Sequence, residues 1–128
     1  MRKIIFLDFD GVLNSREYLS KVKHLSVYDR YQSHLQEIDP VRLSLLNKLV
    51  AETKAEVVFH TSWGNFFSLE ELNSLLRERG ATFQGIDKTP RQAPILAEDR
   101  RISDYIHEWR RINGTHYWKA RKYLNYQS

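Results

Sequence analysis

The stretch Ile4-Ile5-Phe6-Leu7-Asp8-Phe9-Asp10-Gly11-Val12-Leu13-Asn14 constrains this chain more than any other. Four consecutive apolar residues, stopped by two acids and a glycine, predict a short strand buried on both faces, the kind found in the middle of a parallel sheet. Asp8 and Asp10 are two apart, so on a continuing strand they share a face at its carboxyl end, where open α/β sheets place their ligands. Two carboxylates that close repel each other unless a hard cation such as Mg²⁺ or a shared proton lies between them. Gly11 lets the chain turn away at once. The chain's 128 residues, 41% of them hydrophobic, suit one compact α/β domain with one core.

Residues 15–37 are polar, carry Tyr18, His24, Tyr28, Tyr31 and His34 among charges, and show no clear period. They read either as a flap or lid over the strand's end or as a surface excursion with one short helix. Asp39-Pro40 then supplies an N-cap and a first-turn proline, and Val41, Leu45, Leu46, Leu49 and Val50 recur at helical spacing, which predicts a crossover helix to about Thr53. Glu56-Val57-Val58-Phe59-His60 predicts a second strand, ending at Thr61-Ser62-Trp63-Gly64. Ser68 and Glu71 form a capping box for a helix with Leu69, Leu72, Leu75 and Leu76 on its buried stripe, and Gly80 is its stop. Thr82 to Ile86 reads as a short third strand, Ile102, Ile106 and Trp109 as the buried face of a further helix, and a fourth strand is open in the tail. His60 reads as a packed or hydrogen-bonded histidine, and Trp63 as a core aromatic or a substrate-facing one.

The run Asp8-Phe9-Asp10-Gly11-Val12-Leu13-Asn14 resembles the first motif of the haloacid dehalogenase (HAD) superfamily of phosphotransferases. The Val57 to Trp63 stretch resembles, more narrowly, the HAD domains of RNA-repair "Swiss army knife" proteins. The resemblance implies a three-layer, Rossmann-like core with a parallel sheet, a small flap and no full cap domain, spanning residues 1–128 as one domain. It implies Asp8 as the nucleophile that becomes an aspartyl phosphate, Asp10 as the acid and base, and Mg²⁺ held at Asp8 and at the Asp10 carbonyl. A carboxylate attacks an anionic phosphate poorly until a cation neutralises the approach, and two roles need two carboxylates. The family's phosphate-binding hydroxyl falls on Thr61, with Ser62 as the alternative, and its neutralising cation on Arg101, with Arg100 and Lys88 as alternatives. Thr89-Pro90 resembles a Thr-Pro that the family carries after the third strand. The family's usual arginine after the tryptophan is Gly64 here.

The pattern fades after about residue 110, so the core is expected to be shortened at its C-terminal end. HAD enzymes complete the Mg²⁺ shell with one or two acids after a further strand, and here no Asp or Glu follows Glu108. Asp99 or Asp104 is the acid left to reach in. From Trp109 onward the chain carries Arg110, Arg111, Lys119, Arg121 and Lys122 and no acid, so the end of the chain, its tail at residues 115–128 included, is basic and the rest, within a net charge of +4, is near neutral. Interleaved with Tyr117, Trp118, Tyr123 and Tyr126, those cations read either as a nucleic-acid contact or as a terminal element packed on the body.

The reading is therefore a Mg²⁺-dependent phosphatase acting on a phosphorylated small molecule or nucleic-acid end. Its rival is a weakened HAD fold that binds a phosphorylated ligand or nucleic acid. The absence of cysteine excludes disulfides and cysteine-ligated metals. No apolar run approaches the roughly 20 residues that span a bilayer, and four apolar residues after Met1-Arg2-Lys3 are too few for a signal peptide, so a cytoplasmic protein is expected.

Overall fold

A computed structural model describes residues 3–22, 29–89 and, as backbone alone, 116–119. In chain order it contains β1 (Lys3–Leu7), α1 (Arg16–Lys21), α2 (Arg30–Gln36), α3 (Pro40–Thr53), β2 (Glu56–Phe59), a 3₁₀ turn (Ser62–Asn65), α4 (Leu69–Glu78), β3 (Gly85–Lys88) and β4 (His116–Lys119). The strands form one parallel sheet in the order β3-β2-β1-β4. β1 is therefore interior, as its apolar run requires: Ile4, Ile5, Phe6 and Leu7 are all buried. Ile5 and Leu7 join Val57, Phe59 and the leucines of α3 and α4 in one cluster, while Ile4, Phe6 and Val58 form a second. That alternation buries both faces of the sheet and makes the core Rossmann-like, and the strand expected in the tail is present beside β1.

The locally encoded elements fall where their caps put them. Asp39 accepts from the Val41 N–H and Pro40 opens α3, which ends at Thr53 as expected. Its buried stripe is Leu43, Leu46 and Leu49, however, and Val41 is 70% exposed. At about 100° per residue Val41 sits about 160° around the helix from Leu43, so the stripe begins two residues later than expected, while Leu45 and Val50 pack against the core partly buried. Ser68 and Glu71 close the capping box in both directions, and Gly80, at φ 107°, is the residue after the C-cap.

β3 begins at Gly85 and not at Thr82. Asn47 on α3 takes the intervening backbone for itself, donating to the Gly80 carbonyl at 2.9 Å and accepting from the Thr82 N–H at 3.0 Å. Asn73 on α4 then grips both polar groups of Gly85, at 2.7 and 3.0 Å. Gly85 is also where β3 meets the Phe59 ring: a Cβ built there would lie 2.4 Å from two of its carbons. Phe59 is wholly buried and cannot swing aside. Gly85→Ala is therefore expected to lower stability by about 1–3 kcal/mol, the usual cost of overpacking. Urea unfolding checks it, and an unchanged midpoint would show that the ring yields.

Among the described residues of 15–37 there are two short helices where one was expected, each announced by a cap: Ser15 accepts from Tyr18 N–H and Asp29 from Gln32 N–H. This segment is tied down by polar side chains. Arg79, the C-cap of α4, donates to the Ile38 carbonyl through Nε and Nη2 and to the Tyr18 hydroxyl at 3.0 Å. Tyr31 of α2 donates to Glu78 Oε2 at 2.7 Å and lies 2.7 Å from Ser74 Oγ. Burial, reinforced by the Glu78 carboxylate, raises the phenol above its ordinary 10.0, so it remains a donor at neutral pH. His24, Tyr28 and the helix expected around Ile102, Ile106 and Trp109 lie outside the described residues. Among the described residues no helix is long and apolar enough to cross a membrane.

Candidate active site

The carboxyl ends of β1 and β2 lie side by side. Leu7 pairs with Phe59, and the ladder continues one step further through the His60 N–H, which donates to the Leu7 carbonyl at 2.7 Å. Asp8 is thus level with His60, and Thr61 follows it just beyond the end of β2, as the N-cap of the 3₁₀ turn. The edge that the sequence predicted to hold both groups does hold them.

Beyond Asp8 the chain leaves the sheet. Phe9 turns into the core, wholly buried, in edge-to-face contact with Phe59 (5.4 Å between centroids) and Trp63 (5.0 Å). Its carbonyl accepts from the Val12 and Leu13 N–H groups, a tight turn that Gly11 permits at φ 80°. Asp8 is half-buried and Asp10 exposed on either side of this anchor.

Two side chains grip Asp10 at Oδ1. Its Oδ1 accepts from the Trp63 indole Nε1 at 3.1 Å and from the Asn14 amide at 3.3 Å. Asn14, 2% exposed, in turn accepts the Gly11 N–H at 2.9 Å. Neither Asn14 nor this function of Trp63 was legible from the motif. The four-residue spacing from Asp10 to Asn14 was the available signal, and it needs the Gly11 turn to become a contact.

Thr61 is 5% exposed and caps the 3₁₀ turn, its Oγ1 accepting from the Trp63 N–H at 3.2 Å. That bond engages the oxygen as acceptor, and the hydroxyl proton is a separate donor. Ser62, the first residue of the turn, is exposed. His60 is buried with Nδ1 2.9 Å from Thr89 Oγ1, which makes it the hydrogen-bonded histidine expected. Of the cations considered, Lys88 donates to the Gly64 and Phe67 carbonyls at 2.9 and 3.2 Å. Its Cδ lies 3.6 Å from where a Cβ on Gly64 would sit, so a lysine from β3 flanks the position where the family usually has an arginine. Arg101, Arg100, Asp99 and Asp104 lie outside the described residues.

A parallel α/β core with two acids just past its interior first strand, and a buried hydroxyl just past the next, has the layout of a Rossmann-like HAD core. Residues 4–124 match the model of the family described as the HAD domain in Swiss Army Knife RNA repair proteins, and the chain belongs to that family. The match runs past residue 110, where the motifs fade, and takes in β4. No curated protein and no solved structure matches the chain.

Proposed function

We propose that this domain is a Mg²⁺-dependent phosphomonoester hydrolase working through an aspartyl phosphate on Asp8. The observation that carries the reading is the register of β1 and β2, which sets Asp8 level with His60, one residue before Thr61. In the first half-reaction an Asp8 carboxylate oxygen bonds to phosphorus, the ester P–O bond breaks, and the departing oxygen takes a proton from Asp10. In the second, water bonds to phosphorus and yields its proton to Asp10, and the Asp8–phosphorus bond breaks. Thr61, or Ser62 beside it, donates to a phosphoryl oxygen. Arg101 is the proposed neutralising cation, with Arg100 and Lys88 as alternatives. The family's RNA repair description favours a phosphorylated nucleic-acid end over a small phosphomonoester.

The donors present suit a hard cation, though sparsely. Among the described residues no three His, Asp or Glu side chains group as a metal cage. Asp8 and the Asp10 carbonyl supply oxygen ligands, and Mg²⁺ commonly keeps waters and substrate phosphate for its other positions. When bound there, it would offset the negative charge shared by the carboxylate and the phosphate. With so few protein ligands, half-activation is expected at Mg²⁺ concentrations on the order of millimolar.

Phosphate release from a generic phosphomonoester and from 5′- and 3′-phosphorylated RNA, titrated with Mg²⁺ and repeated in EDTA, tests both parts. Full turnover in EDTA would overturn the metal requirement. One observation favours a second reading: β4 ends at Lys119, and no acid follows it. Folded protein that binds phosphorylated RNA without turnover would mark a weakened HAD fold used for binding.

A further inference from the structure

We propose that Phe66, with the guanidinium of Arg30 over its ring, is a stacking platform for a base of a phosphorylated nucleic-acid end. This rests on the reading of such an end as the substrate and names where its first bases lie. The backbone decides how two adjacent phenylalanines divide. Phe66 and Phe67 both donate to the Trp63 carbonyl, at 3.0 Å each, and so close the 3₁₀ turn. Phe67 turns into the core, 5% exposed, with its ring edge-on to Tyr31 (6.3 Å) and His34 (5.2 Å). Phe66 turns outward and is 51% exposed.

A single phenylalanine on a surface needs no explanation. This one carries a cation: the Arg30 guanidinium lies 4.8 Å from the ring centroid, inside the roughly 6 Å at which a ring face holds a positive charge. Arg30 is itself exposed, and among the described residues it forms no ion pair. Its guanidinium N–H groups suit a backbone phosphate, and its plane, like the phenyl ring, suits a base.

His34 joins this platform to the catalytic edge. Its ring lies 6.1 Å from Phe66 and 4.7 Å from Trp63, so the Phe66 and Trp63 centroids are no further apart than those two distances laid end to end. Trp63 in turn reaches Asp10 with its indole. Asp10, Ser62, Phe66 and Arg30 are all exposed. A strand whose terminal phosphate sits at Asp8 can therefore bring its first or second base to Phe66, with Arg30 beside the phosphate between them. Stacking of this kind accepts any base, because each has a π-face.

The test is the ratio of kcat/KM for two substrates: a tetraribonucleotide phosphorylated at whichever end the wild type prefers, and glycerol phosphate, which has no ring to stack. In Phe66→Ala that ratio is expected to fall about 5- to 100-fold, through KM and not kcat, while Phe66→Trp keeps it within about threefold. Circular dichroism checks the fold of both variants. A ratio that stays put in Phe66→Ala, whether both substrates slow equally or neither does, overturns the proposal and leaves the phosphatase reading standing. Binding without turnover gives the second measurement: the Kd of a fluorescein-labelled phosphorylated oligonucleotide, read by anisotropy in EDTA, should rise by a similar factor in Phe66→Ala. If the wild type hydrolyses neither substrate, the phosphatase reading fails, and a raised Kd still supports the platform. An unchanged Kd, or a wild type that does not bind the oligonucleotide, overturns it. So does sedimentation showing a wild-type dimer that Phe66→Ala converts to monomer, which would give the ring to a second copy of the chain.

Discussion

Asp8→Asn is expected to cut phosphate release by on the order of 10⁴-fold or more while the domain stays folded. Asparagine has the shape of aspartate, and the strand that carries position 8 is held by backbone pairing to β2 and by four buried side chains before it. What the change removes is the anionic oxygen that must bond to phosphorus. An amide offers no comparable nucleophile, and direct attack by water would have to proceed without the covalent step. The measurement is turnover with saturating Mg²⁺, together with acid-quench trapping of ³²P on the protein. Label trapped in the wild type and absent from the variant supports the covalent route. Turnover in the variant within about tenfold of wild type would move the nucleophile elsewhere and undo the assignment of both aspartates.

Phe9→Ala is expected to be the most damaging single change to stability, at about 3–5 kcal/mol. Phe9 is wholly buried between two other aromatic rings, and edge-to-face pairs add to what burial alone contributes. Set against a total of about 5–15 kcal/mol for a domain, this is a large share. The melting temperature should fall by on the order of 10–20 °C. The loss should also reach the chemistry, because Trp63 leans on Phe9 and reaches Asp10 with its indole. A drop of less than about 3 °C by thermal unfolding would mean the cavity collapses cheaply, and that Phe9 does not brace the site.

What could be read from the residues was what neighbours in sequence decide. Asp39-Pro40 and the Ser68–Glu71 box place helix starts through bonds three residues or fewer long, and the structure reproduces them. The first strand and its acids were legible because an apolar run that stops at Asp-x-Asp-Gly admits few arrangements. Ser15 and Asp29 were equally good caps, but the helices they start bury no residue fully, so hydrophobic period had nothing to mark. β3 was misplaced by three residues because its start is set by Asn47 and Asn73, amides on two different helices. Trp63 could not be divided between core and site because its ring packs in the core while its indole N–H bonds Asp10. That distinction appears only when residues 9, 10, 14, 34 and 63 are brought together in space.

The order of the strands also sets a timetable. β1 is made first, yet it lies between β2 and β4, and its last pairing joins Lys3 to His116, almost the whole chain apart. Closing so long a loop is slow, and until it closes one edge of the most apolar strand has unpaired backbone groups. During synthesis the two aspartates therefore sit on a half-built platform until the ribosome has released the segment around residue 119. A nascent chain that lacks β4 can already pair β1 with β2, but its sheet is incomplete, and the growing polypeptide is most prone to mispairing until β4 closes the open side of β1.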